Sequence, residues 1–194
     1  MDSSSLLPEM SDAFSIWDTG PIDHAFTLTS PNNSKDPSTA VVNSVSCSWL
    51  LSFKPSSAPN NCAILILGGG GYIELMVGRE GIQVARWLCS LGFHCFVLTL
   101  ELPEKQESYD VVQPDVQLRD EVPRTFVVYA GNDKVVPVVN AYRLAQAIQE
   151  KRVGVEVHVF ADAPHGFTLD TVGLPVSAWT GMCAAWMKQL RLFG

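Results

Sequence analysis

The chain has 194 residues, of which 47% are hydrophobic and 17% charged, a globular composition that excludes a disordered chain. Its 13 basic and 20 acidic residues give a net charge of −7 with no basic run, which argues against nucleic acid or an anionic membrane surface as a partner. The sequence contains no run of about 18 apolar residues, so no membrane-spanning segment is predicted. The polar start lacks the features of a secretory signal, and the 5 cysteines form no CxxC pair, so we expect a cytoplasmic protein with free thiols and no metal site.

The predicted elements begin after a polar segment. Residues 1–38 are rich in Ser, Pro, Asn and Asp and are interpreted as an irregular N-terminal arm, whereas residues 39–194 are interpreted as a single α/β domain. Short strands are predicted over 39–45 and 46–53. The run 63–67 contains only apolar residues, which predicts a strand that is buried on both faces.

Strands and helices alternate through the rest of the chain. The periodicity predicts a helix over 79–91 that ends at Gly92, and a closing helix over 174–192. Between these helices it predicts strands at 94–100, 125–130 and 155–160, and an amphipathic helix at 138–150. This alternation predicts a mostly parallel sheet flanked by helices.

Four consecutive glycines, at 68–71, directly follow the strand predicted at 63–67. A Walker loop requires a Gly-Lys pair, and a dinucleotide fingerprint requires a further glycine where Ile73 or Glu74 stands. We therefore expect no nucleotide cofactor. Two interpretations of the glycine run are left open: an oxyanion hole, in which backbone N–H groups stabilise a developing negative charge, and a plain tight turn.

Two potential acid–base residues follow successive predicted strands. Asp133 lies in a Gly-Asn-Asp turn after the strand at 125–130, and His165 lies in a Pro-His-Gly segment after the strand at 155–160. The carboxyl ends of parallel strands share one rim, so the two side chains are expected to face each other. A carboxylate that holds one imidazole nitrogen leaves the other nitrogen available as a general base. Singly, each residue suits a turn or a surface position; the pair favours a catalytic function.

Three blocks of residues resemble the α/β-hydrolases of the acetyl-esterase and acetyl-xylan-esterase type, close to the dienelactone hydrolases. The blocks are 66–72, 131–137 and 160–167. The resemblance implies a truncated α/β-hydrolase fold in which Asp133 and His165 belong to the catalytic centre. It also implies an oxyanion and substrate-binding segment of four residues: Gly69, Gly70, Gly71 and Tyr72.

The sequence departs from this family at the nucleophile. The family's serine stands in a Gly-x-Ser-x-Gly elbow between the strands that we predict at 94–100 and 125–130. The intervening residues 101–124 contain no glycine. They are also too few for the strand, elbow, helix and further strand of that module, which need about 50 residues. The elbow module is therefore absent.

Few groups in the sequence could replace the missing serine. Ser108 is the only serine in the shortened connection and is a candidate substitute nucleophile. Alternatively, His165 deprotonates water directly while Asp133 orients it. Glu101 is a further candidate substrate-binding residue. For an enzyme that needs no nucleophile, Glu101 or Tyr72 is a candidate second acid or base.

The missing module also leaves a gap in the predicted sheet. Each absent strand displaces its neighbours by about 4.8 Å, and an open buried edge invites unwanted pairing. We therefore expect either direct pairing of the strands at 63–67 and 125–130, or a homodimer that fills the gap.

Three functions are consistent with these observations. The first is an esterase-type hydrolase of small esters or lactones that uses the Asp-His dyad without the standard serine. The second is a non-hydrolytic enzyme of secondary-metabolite tailoring, an isomerase, dehydratase, lyase or cyclase, in which the histidine is a general base. The third is an inactive remnant or a binding protein. Either enzymatic function implies a small-molecule substrate and no cofactor.

Overall fold

A computed structural model describes residues 12–16, 26–29, 36–45, 47–55, 58–71, 73–99 and 118–194. The chain divides into two units, which are described separately below. The first unit comprises Met1–Glu104 with Arg191–Gly194, and the second comprises Lys105–Leu190.

The first unit contains a mixed four-stranded sheet and an antiparallel pair of strands. In chain order its strands are β1 (Asp12–Ser15), β2 (Phe26–Thr29), β3 (Val41–Val45), β4 (Trp49–Phe53), β5 (Ala63–Leu67) and β6 (His94–Thr99). The larger sheet has the order β1-β4-β6-β5, and β2 pairs with β3. Only β5 and β6 are parallel, whereas β4 is antiparallel to both of its neighbours.

A helix connects the two parallel strands of this sheet. A π-helical turn at Val77–Ile82 leads into helix α1 (Gln83–Ser90), whose apolar stripe is buried. The helix ends as predicted: the N–H of Phe93 returns to the carbonyl of Leu88 (3.2 Å), while Gly92 has a φ of +93°. Only glycine adopts such a φ at little cost.

Three expectations for this part of the chain are corrected. The N-terminal arm is not irregular throughout, because β1 and β2 form ladders with β4 and β3. The sheet is mixed rather than mostly parallel, since those N-terminal pairings are antiparallel. Strand β5 is not buried on both faces: Ile66 is buried, but Leu65 and Leu67 are 53% and 57% exposed. Alternation places these two leucines on the other face of the strand.

The second unit is a β-α-β arrangement followed by a closing helix. It contains β7 (Thr125–Ala130), α2 (Val139–Glu150), β8 (Val155–Phe160) and α3 (Trp179–Gln189). Strands β7 and β8 are parallel and in register from Thr125↔Val155 to Ala130↔Phe160. The closing helix is shorter than the predicted 174–192, because its first turn is a separate 3-10 segment, Pro175–Ala178.

The two faces of this small sheet carry different helices. Val155, Val157 and Val159 of β8 line a cavity of about 550 Å³ together with residues of α2. On the other face, Phe126 contacts both His158 and Trp186 of α3, with ring centroids 5.1 and 5.7 Å apart. At its carboxyl end, β8 leads into the segment that carries His165.

Each unit pairs its own strands. In the first unit β5 hydrogen bonds to β6, and in the second β7 hydrogen bonds to β8. Direct pairing of the strands at 63–67 and 125–130, and the homodimer that is its alternative, both stay predictions.

No helix in the described part of the chain is both long enough and apolar enough to cross a membrane.

Candidate functional site

The aspartate of the candidate site is held by its own turn. Strand β7 ends at Ala130, and the chain turns at once. The Asp133 carboxylate then accepts hydrogen bonds from the backbone N–H groups of Val135 (2.8 Å) and Val136 (2.9 Å) through its Oδ1 atom. Such an Asx turn is a local preference of aspartate. The side chain is only 6% exposed, and its second oxygen, Oδ2, takes no part in these two hydrogen bonds.

That second oxygen meets the histidine. Asp133 Oδ2 lies 2.8 Å from Nδ1 of His165, whose side chain is 49% exposed. The two residues follow the carboxyl ends of adjacent parallel strands, so the structure confirms that they face each other.

The segment that carries His165 is anchored on both sides. Before the histidine, Ala163 is buried in a cluster with Ala130 and Val176. After it, the indole N–H of Trp179 donates to the carbonyl of Thr168 (2.8 Å). These contacts connect the segment to β7 and to the beginning of α3, and they hold the imidazole in place by packing rather than by the aspartate alone.

The Asp133 carboxyl is held in its ionised form. Burial by itself raises its pKa, but the hydrogen bond with His165 and those from two backbone N–H groups favour the charged form more strongly. The pKa therefore lies below the ordinary value of 3.8. The nearby Tyr129 shows the opposite effect: burial and the negative charge of Asp133 both raise its pKa.

This charge state determines the tautomer of the histidine. An ionised carboxylate can only accept a hydrogen bond, so Nδ1 of His165 must carry the hydrogen. In the neutral imidazole Nε2 then has a free lone pair. The arrangement can accept a proton at Nε2 and stabilise the imidazolium that results.

The glycine run in the first unit forms a tight turn. Gly70 has a φ of +150°, and a Cβ atom there would lie 1.7 Å from the carbonyl oxygen of Glu74, so only glycine fits. The backbone N–H of Gly69 donates to the carboxylate of Glu80, whereas the N–H groups of Gly70 and Gly71 have no acceptor among the described residues. Two of the three predicted oxyanion donors are thus uncommitted, and their role stays a prediction.

Three predicted site residues, Tyr72, Glu101 and Ser108, lie outside the described residues. Within the described ranges, no group of three or more His, Cys, Asp or Glu side chains could hold a metal ion. Sequence reasoning missed two residues beside the predicted ones. Asn132 carries a weak signal, since it directly precedes Asp133. Glu80 stands in a segment, Arg79-Glu80-Gly81, that follows the glycine run and shares its family resemblance, but the sequence assigned Glu80 no role at the site.

Comparison with known protein families places these residues in context. The family described as "Dienelactone hydrolase family" matches residues 92–194, which include both Asp133 and His165. Endo-1,4-beta-xylanase B of Butyrivibrio fibrisolvens is 35% identical over 65 residues, or 34% of this chain. The matched segment spans only 10% of that xylanase.

Solved structures resemble the chain over most of its length. An acetyl ester-xyloside bifunctional hydrolase from Caldicellulosiruptor lactoaceticus has a TM-score of 0.73 at 16% identity, covering 95% of this chain and 98% of that one. A carboxylesterase from Lactobacillus plantarum has a TM-score of 0.60 at 13% identity, covering 87% and 98%. An α/β-hydrolase from a Medee basin deep-sea metagenome library has a TM-score of 0.58 at 15% identity, covering 85% and 97%. At such identities the likeness establishes the α/β-hydrolase fold.

Proposed function

This chain belongs to the dienelactone hydrolase family, and we propose that it hydrolyses small esters or lactones with the Asp133–His165 pair as its general base. One observation carries the proposal. A buried carboxylate, fixed by two backbone N–H groups, contacts Nδ1 of a half-exposed imidazole at 2.8 Å. A base must be held on one side and open to the substrate on the other, and this pair has both properties.

The proposed reaction needs no group beyond water and the substrate. Nε2 of His165 removes a proton from a water molecule as the water oxygen attacks the ester or lactone carbonyl. Asp133 stabilises the imidazolium that forms. When the tetrahedral intermediate collapses, the imidazolium returns the proton to the departing alkoxide, which leaves a carboxylic acid and an alcohol. The imidazole is then neutral again.

Water is the proposed nucleophile because the described residues place no alternative nucleophile at His165. Among the residues that the structure describes, no serine or threonine hydroxyl and no cysteine thiol hydrogen bonds to His165. Ser108, the substitute predicted from the sequence, lies outside those residues. A covalent route through a serine and a direct route through water therefore predict different products with a reagent that labels activated serines.

The same base supports a second candidate function. With no nucleophile bonded to His165 among the described residues, Nε2 could remove a proton from carbon instead of from water. That chemistry belongs to an isomerase, dehydratase, lyase or cyclase. It shares the acid–base pair with the hydrolase and differs from it in the absence of ester turnover.

The test combines a covalent probe with turnover of a short-chain aryl ester. Wild type, His165→Gln and a matched control, His158→Gln, are incubated with a fluorophosphonate and weighed intact. We expect no mass shift in any of them, with ester turnover in wild type and the control and loss of turnover in His165→Gln. A mass shift in wild type that is lost in His165→Gln would show that the nucleophile is an activated serine and not water. If the folded wild type turned over no small ester or lactone, ester hydrolysis would be refuted, and the second candidate function, proton removal from carbon, would be favoured.

A further inference from the structure

Asn132 links the segment that carries the aspartate to the segment that carries the histidine. Its side-chain Nδ2 donates to the Asp162 carboxylate, and its Oδ1 accepts the backbone N–H of Ala163 at 3.1 Å. Both ends of the amide are therefore used, and both partners lie on the histidine segment. A carboxylate can only accept and a backbone N–H can only donate, so the orientation of the amide follows from its partners.

The position of this link in the chain is informative. Asn132 directly precedes Asp133, and its partners stand three and two residues before His165. The ladder between β7 and β8 ends at Ala130↔Phe160. Beyond that point the backbone adds a single bond, from the N–H of Gly131 to the carbonyl of Phe160 (2.7 Å). Past the end of the sheet, the amide of Asn132 continues the connection between the two segments.

Two independent connections made by side-chain hydrogen bonds thus join the same two segments. One is the acid–base contact itself, between Asp133 and His165, and the other is the Asn132 amide with Asp162 and Ala163. The acid–base contact changes its charge during each proposed turnover, when the imidazole gains and loses a proton. The amide bonds do not change charge, so they can hold the segments at constant spacing throughout.

We propose that Asn132 is a positioning residue, whose side chain sets the distance and angle between the Asp133 carboxylate and the His165 imidazole. The consequence for turnover rests on the function proposed above, while the consequence for the imidazole does not. Because small misplacements of reacting groups are costly, loss of the amide should lower kcat about 10–100-fold. KM should change little, since Asn132 acts through other residues.

A swap of donor and acceptor tests this directly. Asn132→Asp keeps the acceptor for the Ala163 N–H, but it sets a second carboxylate against Asp162 where a donor stood. The double variant Asn132→Asp/Asp162→Asn exchanges the two roles, restores the bond with reversed polarity and restores the net charge. His158→Gln serves as the matched control, because it removes a histidine–carboxylate contact that lies away from this link.

Two readouts are measured on the full chain of each variant: the resonance of the Nδ1 hydrogen of His165 by NMR, and kcat and KM for the ester. We expect Asn132→Asp to lose or shift the resonance and to lower kcat, and the double variant to recover both to within about twofold of wild type. The thermal midpoint of unfolding, measured for each variant, distinguishes a loss of positioning at His165 from a loss of overall stability.

Three outcomes would overturn the proposal. They are an unaltered resonance and kcat in Asn132→Asp, a double variant that recovers the thermal midpoint but not the resonance, and an effect of equal size in His158→Gln. If Asn132→Asp does not fold, Asn132→Ser takes its place, because a short hydroxyl can satisfy one partner at most. If wild type proves unable to hydrolyse esters, the proposed function fails, but the NMR resonance still decides the role of Asn132.

Discussion

The second unit contains two histidine–carboxylate pairs of nearly equal length and opposite construction. Asp133 and His165 are 2.8 Å apart, and Glu156 and His158 are 2.7 Å apart. In the first pair the carboxylate is 6% exposed and the histidine 49%, whereas in the second pair the values are 40% and 29%. The less exposed partner is thus the acid in the first pair and the base in the second.

The surroundings of the two pairs explain this reversal. Asp133 is fixed by two backbone N–H groups of its own turn, and its histidine extends from a loop at the end of the sheet. His158 lies within β8 and packs against Phe126, and the only hydrogen bond to the Glu156 carboxylate in the described chain comes from His158. A short contact is therefore not sufficient for general-base chemistry. What distinguishes the first pair is a fixed acid and an accessible base.

The largest expected effect is the loss of the accessible base. His165→Gly should lower ester turnover by about 10²–10⁴-fold, and added imidazole should restore part of it, because a free base can enter the space of an exposed side chain. His158→Gly should change turnover by less than about threefold and should not respond to imidazole. Turnover measured with and without imidazole checks both. Imidazole rescue of His158→Gly alone would reverse our assignment of the two pairs.

Replacement of the acids gives the next largest effect. In Asp133→Asn the amide cannot accept from both backbone N–H groups and also accept from Nδ1, so the imidazole loses its orientation. We expect kcat to fall about 100-fold or more. Glu156→Gln, which removes the more exposed acid, should leave kcat within about twofold of wild type. Equal losses in the two variants would show that the buried carboxylate has no special role.

The fixed acid should also contribute stability that depends on pH. The pKa of Asp133 is lowered in the folded protein, so its contribution is present above the ordinary value of 3.8 and is lost as the pH falls through the lowered value. At neutral pH, Asp133→Asn should reduce the free energy of unfolding by about 2 kcal/mol.

That difference between wild type and Asp133→Asn should shrink at strongly acidic pH, where the wild-type carboxyl is protonated. Urea unfolding of both proteins at neutral and at acidic pH measures it. A difference that is constant across this range would mean that the side chain stabilises the turn without its charge.

The smallest expected effect concerns a neighbour of the acid. The pKa of Tyr129 is raised by burial and by the charge of Asp133. Asp133→Asn removes the second cause only, so this pKa should fall but stay above the ordinary value of 10.0. Glu156→Gln should not move it. NMR titration of isotope-labelled tyrosine measures the shift, and an unchanged value in Asp133→Asn would show that the carboxyl is not ionised there.

Much of the fold was predictable because the relevant signals are local. Apolar runs mark β5, β6 and β7, alternation of valines with polar residues marks β8, and Gly92 marks the end of α1. The acid–base pair was also predictable, because it needs only two strand ends and the rule that parallel strands share a rim. Asp133 and His165 each stand within five residues of such an end.

The rest depends on partners that are distant in the sequence. The sequence predicts no strand at β1, because this short segment has little strand pattern of its own. It is a strand because it pairs with β4. In the sequence, Leu65 and Leu67 resemble core residues. They are exposed because they lie on the face of β5 opposite to the buried Ile66. The bond from the N–H of Gly69 to Glu80 joins residues eleven apart through a π-helical turn that no spacing rule anticipates.

By itself, the sequence determined most of the elements after residue 38, their order, and the two residues that meet beyond the ends of β7 and β8. Periodicity and turn chemistry act over a few residues, so a single chain displays them directly. The tertiary structure alone decided which member of each histidine–carboxylate pair is the less exposed, and that Asn132 connects the two segments of the candidate site. Burial and side-chain hydrogen bonds arise from groups brought together by folding, and neither leaves a periodic trace in the sequence.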